Sequence, residues 1–258
     1  MKETDYSAAN EKPFFSVITV CYNSEKWIEC ALESMLQQTF GDYEYIIIDG
    51  ASRDRTLEII ETYKEKFTGK LKLVSEPDRG IYDAMNKGIR MASGTVVGIL
   101  NSDDYYEPEA LEIIHREYDP EKPYQILYGM IHIVDPKGTL KKIFWGSHQF
   151  INEQPVVHPA CFITNKLYKD KGLYSLEYRY ASDYDFLMRM TRDSEVLFKP
   201  VFKVLSNFRE GGQSEKPEAT MEHFRVLREN GVISDEKCKR EIGILRMKNS
   251  MKHLFRRK

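Results

Sequence analysis

The sequence has no apolar run long enough to cross a membrane. Its 258 residues are 41% hydrophobic and 30% charged, and no stretch approaches the roughly 20 apolar residues that a spanning helix needs. Residues 1–12 are polar and contain no apolar signal core, so we predict a disordered lead-in there. A chain of this length can bury one large core and still carry a small appendage.

Cysteine is also scarce, with four residues in the chain. No two of them form a C-x-x-C pair, which argues against a zinc site. Nothing in their spacing indicates a disulfide framework, so a reducing cytosol is the default environment. We therefore expect a cytoplasmic protein.

An excess of charge of one sign is lacking as well, because the formal net charge is −2. This balance gives no reason to expect a nucleic-acid partner. The distribution is uneven, however. Residues 237–258 contain nine Lys or Arg and one acid, Glu241, so this tail carries +8 and the rest of the chain carries −10. A basic tail on an acidic body predicts an anionic membrane surface as a partner, with peripheral attachment to the inner face of the membrane.

The basic tail also contains an apolar stripe, formed by Ile244, Met247, Met251, Leu254 and Phe255. A stripe of this kind more often packs against its own protein. It can also lie in the plane of a membrane surface, with lysines and arginines on the opposite face. Both alternatives are open at this point.

Short apolar runs alternate with amphipathic segments through the first hundred residues. We predict strands at residues 14–20, 45–48, 71–75 and 95–100, separated by helices that include residues 27–35, 53–67 and 81–92. Asn23 or Ser24 is expected to cap the first helix. This β-α-β-α-β-α-β order with short connections predicts an α/β fold, with a mostly parallel sheet covered on both faces.

The pattern changes to α+β in the second half. We predict a helix near 108–118, strands at 125–134, 139–145 and 161–164, a helix within 179–192, and two short strands in 196–208 split by Pro200. A flexible break follows at 211–214. The predicted organisation is thus a domain at 13–214, with halves at 13–106 and 107–214, and a basic helical tail at 215–258.

Two adjacent acids end the apolar run at residues 95–100. Asp103 and Asp104 at the carboxyl end of a buried strand are costly unless a cation meets them. Mg²⁺ or Mn²⁺ binds such oxygens together with substrate phosphates, which predicts a metal–diphosphate site at Asp103 with Asp104 beside it. Alternatively, one of these acids caps the helix that starts near Pro108.

Polar side chains follow each of the first four predicted strands. They are Asn23, Asp49, Ser52, Asp78, Arg79, Asp103 and Asp104. Because the carboxyl ends of parallel strands converge at one edge of a sheet, these side chains predict a ligand site. No G-x-G-x-x-G turn or G-x-x-x-x-G-K-[ST] loop occurs in the sequence, so we expect phosphates to be held through acids and a metal ion.

Five motifs in this order resemble those of the family 2 inverting glycosyltransferases, which have the Rossmann-like GT-A fold. They read F-S-V-I-T-V-C-Y-N, I-I-I-D-G-A-S-R-D-R-T, S-E-P-D-R-G-I-Y-D-A-M-N-K-G-I, G-I-L-N-S-D-D and A-S-D-Y-D-F-L-M-R-M. The resemblance covers roughly residues 14–214. It implies a nucleotide-binding half, an acceptor half and a hexosyl- or N-acetylhexosaminyltransferase activity.

The resemblance also implies a nucleotide-sugar donor, usually a UDP-sugar, and a divalent cation. The positions that match the family's donor site are Thr19, Val20, Tyr22, Asn23, Asp49, Ser52, Asp78, Arg79, Gly80, Asp83, Asn86, Asn101, Ser102 and Asp103. Within this set, Asp49 matches the acid that hydrogen-bonds uracil. Asp103 matches the metal-binding acid of the family's D-x-D motif.

On the acceptor side, Asp183 matches the catalytic base and His158 matches a histidine near the acceptor. Two departures from the family pattern are present. Asn101 replaces the first acid of D-x-D, which keeps an acceptor oxygen but loses a charge. Ser182 replaces the glutamate before the base, so both Asp183 and Asp185 are open as the base, and we favour Asp183.

The chemistry expected of these residues is a single displacement. Loss of a nucleoside diphosphate from a sugar C1 builds negative charge, which a metal ion held by Asp103 would neutralise. A carboxylate such as Asp183 can take the proton of the acceptor hydroxyl. Attack from the opposite face of the sugar then inverts C1. We expect a glycan or polyprenyl-linked acceptor, as in bacterial surface-polysaccharide assembly.

Two other functions are weighed against this one. A nucleotidyltransferase that makes nucleotide-sugars would need a glycine-rich basic loop after the first strand, where this chain has C-Y-N-S-E-K. A non-catalytic nucleotide- or sugar-binding relative is favoured only by the departures at Asn101 and Ser182.

Overall fold

The computed structural model describes residues 12–212 and 216–255, and only the backbone of residues 251–255. The predicted lead-in, except its last residue, and the end of the predicted break at 211–214 lie outside the described residues. The strands are β1 (Phe15–Cys21), β2 (Tyr43–Asp49), β3 (Leu71–Ser75), β4 (Val96–Ile99), β5 (Tyr105–Tyr106), β6 (Gln125–Val134), β7 (Leu140–Phe144), β8 (Cys161–Thr164) and β9 (Leu197–Arg209). The α-helices are α1 (Ile28–Leu36), α2 (Thr56–Tyr63), α3 (Ile81–Met91), α4 (Ala110–Glu117), α5 (Asn165–Lys171), α6 (Ser182–Met190), α7 (Pro217–Glu229) and α8 (Asp235–Phe255).

One mixed sheet connects the two halves of the chain, in the order β3-β2-β1-β4-β8-β6-β9-β5, with β7 paired to β6. The first four strands are parallel, and Phe15 of β1 lies between Tyr43 of β2 and Val96 of β4. Every residue of β1 and β2 is buried, as expected for parallel strands covered by helices on both faces. The predicted α/β fold is therefore confirmed.

Two apolar layers enclose the sheet. One contains the inward faces of α3 and α6, and the other contains those of α1, α2 and α4. Helix α3 approaches the sheet so closely that a Cβ atom on Gly88 would lie 2.5 Å from Ile18 Cγ2. The absence of a side chain at Gly88 therefore lets α3 pack directly against β1.

The prediction of two short strands split by Pro200 is wrong, because β9 is continuous from Leu197 to Arg209. Pro200 lies opposite Tyr128 of β6, next to shifts in the register between the two strands. Such an irregularity accommodates a residue that has no N–H to donate. The two-residue strand β5 and the helix α5 were not predicted.

The expected cap of the first helix is also wrong. Helix α1 begins at Ile28 and has no side-chain cap. The backbone carbonyl of Ser24 accepts hydrogen bonds from the N–H groups of Trp27 and Ile28 instead. The side chains of Asn23 and Ser24 are thereby free to contact the ends of β2 and β4.

The C-terminal helices pack against each other and against the sheet domain. Cys238 of α8 is buried, and its thiol donates to the backbone carbonyl of Phe224 in α7. In the predicted apolar stripe, Ile244 is partly buried, whereas Met247 is 58% exposed. The side chains of the other three stripe residues lie outside the described ones. Among the described residues, no helix is long and apolar enough to cross a membrane.

Candidate active site

Asp49, the last residue of β2, is fully buried and held by hydroxyl groups. Its carboxylate accepts hydrogen bonds from Ser75 Oγ at 2.7 Å, from the Ser52 N–H at 3.0 Å and from Ser52 Oγ. These donors come from the end of β3 and from the turn after β2. The orientation of the Asp49 carboxylate is thereby fixed at the edge where the ligand site was predicted.

The turns after β1 and β2 are joined by Asn23 and Ser52. The Asn23 N–H donates to Ser52 Oγ at 2.8 Å, and Asn23 Oδ1 accepts from the Arg53 N–H at 2.9 Å. Asn23 and Ala51 have φ values of 51° and 60°, in the left-handed region that a non-glycine residue seldom adopts. The structure thus brings the two predicted strand ends into direct contact.

The other predicted residues of β1 differ in accessibility. Thr19 is buried, with its hydroxyl 2.8 Å from the hydroxyl of Tyr45, and Val20 belongs to the core. Tyr22, just beyond the strand, is 59% exposed and lies against Gly50. Of these three predicted residues, Tyr22 is thus the one whose side chain is open to a ligand.

Asp78 is held at the same edge by a lysine that we did not predict. Lys87 Nζ of α3 lies 2.6 Å from Asp78 Oδ1 and 2.8 Å from Glu76 Oε1. A Cβ atom on Gly50 would be 3.1 Å from Asp78 Oδ2. The turns after β2 and β3 therefore meet. The sequence signal for Lys87 was its place one helical turn after Asp83.

The start of α3 is formed by Arg79, Gly80 and Asp83. The Asp83 carboxylate accepts from the Arg79 N–H at 3.1 Å and from Arg79 Nη2 at 3.2 Å. The Arg79 N–H and then its guanidinium lower the pKa of Asp83. Gly80 has a φ of 130°, which favours glycine. The Arg79 side chain is 76% exposed and open to a ligand.

Asp104 differs from its neighbour Asp103 because it is fully buried. Its carboxylate accepts from the Arg209 N–H at 2.9 Å and from Asn101 Nδ2 at 2.9 Å. Burial, followed by the adjacent charge of Asp103, raises the pKa of Asp104. Asp104 thus orders the loop after β4. It does not cap α4, since Asn101 and Arg209 occupy its oxygens.

Asp103 and Asn101 supply the oxygens that are left for a ligand. Asp103 is partly buried, and burial raises the pKa of its carboxyl. Asn101 Oδ1 is buried and has no hydrogen-bond partner among the described residues. Ser102, between them, pairs its hydroxyl with that of Ser24 at 2.9 Å. A carboxylate and an unpartnered amide oxygen on one short loop suit a hard divalent cation.

Arg209, the last residue of β9, was not predicted. Its Nε donates to the Asp103 carbonyl at 3.0 Å and its Nη1 to the Pro136 carbonyl at 3.1 Å. The guanidinium carbon also lies 4.3 Å from the centre of the Trp27 ring. Arg209 therefore fixes the backbone of residues 101–104, which we call the acidic loop. Its signal in the sequence was an arginine at the end of a predicted strand.

Asp183 lies in the first turn of α6 and contacts α3. The Tyr82 hydroxyl donates to Asp183 Oδ1 at 2.7 Å and also lies 2.9 Å from the Tyr180 carbonyl. Burial, and then the charge of Asp183, raises the pKa of Tyr82 well above its ordinary value. Tyr82 was not predicted, although it lies between Gly80 and Asp83 in the donor motif. The structure therefore joins Asp183 to α3, directly after the predicted donor residues Asp78, Arg79 and Gly80.

Asp185 lies apart from Asp183. Its carboxylate pairs with Arg189 Nε at 3.0 Å. Asp185 lines a cavity of about 450 Å³ together with Tyr178 and Glu229, and Asp183 does not line this cavity. Two positions along a helix turn a side chain by about 200°, so the two carboxylates point away from each other. The structure does not bring Asp185 to the donor site.

His158 and Asn86 are both buried around Tyr174. His158 Nε2 lies 2.9 Å from the Tyr174 hydroxyl, and burial lowers the pKa of His158. Asn86 Nδ2 donates to the Tyr174 carbonyl, and Asn86 Oδ1 accepts from the Tyr174 N–H. The amide of Asn86 is thus occupied by backbone. It connects α3 to the loop before α6 and is not directed at a ligand.

The backbone immediately before α6 is held by Glu222 of α7. Its carboxylate accepts from the N–H groups of Arg179, Tyr180 and Ala181, at 3.0, 2.6 and 3.2 Å. A carboxylate near the N-terminus of α6 also interacts favourably with the dipole of this helix. Glu222 therefore positions the turn that leads into α6 and Asp183. It belongs to residues 215–258, which we predicted to be a helical tail outside the domain.

The model of one protein family, glycosyl transferase family 2, matches residues 16–174, which is more than half of the chain. The chain belongs to glycosyl transferase family 2. The predicted family and the predicted glycosyltransferase activity are confirmed. The alternative of a nucleotidyltransferase is not favoured.

Two curated relatives resemble this family 2 glycosyltransferase over most of its length. A PGL/p-HBAD biosynthesis glycosyltransferase of Mycobacterium bovis is 29% identical over 205 residues, which are 78% of this chain and 78% of the relative. The hyaluronan synthase of Pasteurella multocida is 28% identical over 208 residues, which are 78% of this chain and 21% of that protein.

Solved glycosyltransferases share the fold. S. aureus TarS 1-349, in complex with UDP-GlcNAc, has a TM-score of 0.67 at 24% identity, over 86% of this chain and 67% of that one. The mannosyltransferase PcManGT from Pyrobaculum calidifontis, in complex with GDP-Man and Mn²⁺, has a TM-score of 0.60 at 18% identity, over 86% and 64%. At this level of identity the likeness shows the fold, and it confirms the GT-A prediction.

Proposed function

We propose that this glycosyltransferase moves a sugar from a UDP-sugar to an acceptor hydroxyl, with inversion at C1. The observation that carries the proposal is the hydrogen bond between Tyr82 and Asp183. It fixes a carboxylate beside the first turn of α3, whose preceding residues 78–80 form the expected donor segment. A nucleotide site and a base are thereby joined through one side chain.

In this proposal the nucleotide lies across the ends of β1, β2 and β3. Asp49, whose carboxylate is fixed by Ser52 and Ser75, binds the N–H edge of a uracil ring. Tyr22 packs beside the base, because its ring is exposed at the same edge. Arg79 is exposed and reaches toward the diphosphate or sugar.

The acidic loop after β4 fits a divalent cation, Mg²⁺ or Mn²⁺, through Asp103 and the Oδ1 atom of Asn101. In the described part of the chain no three acidic, histidine or cysteine side chains cluster in a way that could hold a metal ion. The remaining ligands would therefore come from donor phosphates and water. When bound, the cation would stabilise charge on the leaving diphosphate.

Asp183 acts as the general base in this proposal. It accepts the proton of the acceptor hydroxyl, and the Tyr82 hydrogen bond orients the carboxylate while this happens. Such general-base assistance is typically worth about 10²–10⁴-fold in rate. Asp185 is not available for this step because it pairs with Arg189.

The acceptor we propose is a glycan, free or polyprenyl-linked, and the enzyme works at the cytoplasmic face of a bacterial membrane in surface-polysaccharide assembly. Support comes from the tail, residues 237–258, with nine Lys or Arg and one acid. Such a segment is attracted to anionic lipids. We also propose the division into halves at 13–106 and 107–214, followed by a basic helical segment at 215–258 that contains this tail.

The stereochemical part of the proposal is tested by NMR. Protein is incubated with α-linked UDP-glucose, UDP-GlcNAc or UDP-galactose and Mn²⁺, and the anomeric proton of the first product is followed before mutarotation. Inversion requires a β-anomer, whether water or an added sugar is the acceptor. An α-anomer from the same donor, or no turnover of any nucleotide-sugar with any acceptor tried, would contradict the proposal.

A further inference from the structure

A second concave surface lies between the C-terminal helices and the turn before α6. This groove has a volume of about 650 Å³. Its cationic lining consists of Arg179 from the turn, Arg225 from α7 and Arg246 from α8. Three chain segments that are distant in sequence thus direct an arginine to one place. We call it the arginine groove.

The three arginines of the groove are exposed, and the guanidinium group of Arg179 lies 5.6 Å from the centre of the Tyr180 ring. Across residues 12–212 and 216–250, no ion pair or hydrogen bond is made by the guanidinium groups of Arg179, Arg225 or Arg246. Other arginines are paired, such as Arg189 with Asp185. Three unpaired like charges repel each other in one concavity, and a bound anion would relieve this repulsion.

Two acids also line the groove, so its three arginines and two acids leave a net charge of +1. Both carboxylate oxygens of Glu222 accept backbone N–H groups of the turn before α6. Glu218 is exposed and has no hydrogen-bond or ion-pair partner among the described residues. The lining therefore keeps an excess of positive charge.

Tyr180 connects the groove to the side chain that contacts the proposed base. Tyr180 lines the groove, and the Tyr180 carbonyl lies 2.9 Å from the Tyr82 hydroxyl that donates to Asp183. Glu222 holds the N–H of Tyr180 from the groove side at 2.6 Å. A molecule bound in the groove would therefore lie against the turn that immediately precedes the proposed base.

We propose that the arginine groove binds a phosphate group carried by the acceptor. This inference rests on the proposed function, because it names the acceptor class of the same site. Guanidinium groups match phosphate oxygens in geometry and stay charged, and the volume is sufficient for a diphosphate and an adjoining sugar. The phosphate is part of a lipid diphosphate or of a phosphodiester chain, and the test distinguishes these two sources.

The test is calorimetric titration of the full chain, without metal, by geranyl diphosphate, glycerophosphoglycerol, inorganic phosphate and glucuronate. Tighter binding of geranyl diphosphate indicates a lipid diphosphate acceptor, and tighter binding of glycerophosphoglycerol indicates a phosphodiester chain. Both results support the inference. Glucuronate bound as tightly as the phosphate probes would overturn the assignment of phosphate.

Variants locate the binding. We expect Arg179→Gln, Arg225→Gln and Arg246→Gln each to weaken binding of the preferred phosphate probe about tenfold, as for one charge-assisted hydrogen bond. Glu218→Gln should tighten it, because a negative charge leaves the lining. The control Arg116→Gln removes an exposed arginine of α4, far from the groove, and should have no effect. Unchanged binding in all three groove variants would overturn the inference.

Failure of the inference can be told apart from failure of the proposed function by a UDP titration of the same proteins. If UDP binds with Mn²⁺ but the groove variants bind phosphate like the wild type, the inference fails alone. If no nucleotide binds and the groove variants still lose the phosphate probe, the proposed donor site fails and the groove remains an anion site.

Discussion

At the scale of single residues, Asp183 and Asp185 show how position on a helix separates two similar carboxylates. Asp183 contacts Tyr82 of α3, whereas Asp185 pairs with Arg189 one turn along its own helix. The first carboxylate is only partly buried and faces the donor segment. The second is used in an ion pair. We therefore expect substitutions of Asp183 and Asp185 to have different effects on turnover.

Asp183→Asn is expected to lower kcat by about 10²–10⁴-fold, since an amide cannot accept the proton of the acceptor. Affinity for UDP should stay within about twofold, because the amide oxygen still accepts from Tyr82. Asp185→Asn serves as the matched control and should retain most of the activity. Steady-state kinetics with a UDP-sugar measures both. Equal losses in the two variants would contradict the assignment of the base.

In Asn101, the two side-chain amide atoms have different roles. Its Nδ2 atom holds Asp104, while its Oδ1 atom has no partner among the described residues. An aspartate at this position would place two carboxylates against each other, one of them fully buried. The asparagine thus removes a repulsion inside the loop and still offers an oxygen toward the proposed cation.

At the scale of elements, α7 supports the candidate active site from outside the region matched by the family model. The Glu222 carboxylate accepts hydrogen bonds from three N–H groups of the turn before α6. No other described side chain satisfies these groups. The start of α6, and with it the position of Asp183, therefore depends on a helix beyond the sheet.

We expect Glu222→Ala to lower kcat at least about tenfold, because the turn before Asp183 loses its support. The dissociation constant for UDP should change little, since the proposed donor segment, residues 78–80, lies before α3 and is not held by Glu222. Glu222→Gln keeps one acceptor oxygen and should recover part of the rate. A loss of UDP binding parallel to the loss of kcat would indicate general misfolding, and unchanged kcat would contradict the positioning role.

Glu44 of β2 has a comparable role in the sheet. Burial alone would raise its pKa, but hydrogen bonds from Lys72 of β3, Ser16 of β1 and Ser93 outweigh burial and lower this pKa to about 2. One carboxylate thus connects three strands and the turn before β4. Since the pKa is lowered on folding, its contribution to stability is present above the unfolded pKa of 4.5 and is lost as the pH falls toward 2.

Glu44→Gln should therefore reduce the free energy of unfolding by about 1–3 kcal/mol at pH 7. The difference from the wild type should shrink between pH 4.5 and pH 2, the window set by the two pKa values of Glu44. Urea denaturation at pH 7 and pH 3 measures it, with Glu121→Gln, an exposed acid, as control. A difference that is the same at both pH values would contradict this account.

Elements with a strong local pattern were predictable from the sequence. Strands β3, β6 and β8 have the predicted bounds, because each is an apolar run bordered by turn residues. The interruption predicted at Pro200 failed because a shift in register, which depends on β6, absorbs the proline. The caps at Asn23 and Ser24 failed because the side chains of these residues pair with Arg53 and Ser102, in the turns after β2 and β4.

The candidate site was predictable to a similar extent. The polar residues after the strands converge as the parallel order requires. Tyr82, Arg209 and Glu222 escaped prediction because their roles depend on partners far away in sequence. Glu222, for example, contacts residues 41 to 43 positions earlier. Lys87 escaped because its pairing with Asp78 depends on the path of the turn between β3 and α3. No periodicity or motif within one segment contains this information.

At the scale of the whole molecule, the charge distribution separates an acidic body from a basic end. The N-terminal part of α8 packs on α7 through the buried Cys238, whereas Met247 is exposed. The tail therefore begins as part of the domain. Its last residues carry Lys252, Arg256, Arg257 and Lys258 without a single acid.

A variant that ends at Ser250 should lose most of its binding to anionic vesicles. It removes four positive charges, each worth about 1 kcal/mol near such a surface, but keeps the packing of α8 on α7. Co-sedimentation with vesicles of phosphatidylglycerol and phosphatidylcholine measures this, with pure phosphatidylcholine as the control. Undiminished sedimentation of the shortened protein would contradict attachment through the tail.

The central claim is that the ends of the first four strands form a nucleotide-sugar site completed by a cation. Calorimetric titration of the wild type, Asp49→Ala and Asp103→Ala with UDP and GDP, with and without Mn²⁺, tests it most directly. We predict that the wild type binds UDP with a strong dependence on Mn²⁺, that Asp103→Ala abolishes this dependence, and that Asp49→Ala removes the preference for UDP over GDP. Absence of nucleotide binding to the wild type, or equal Mn²⁺ dependence in Asp103→Ala, would contradict the claim.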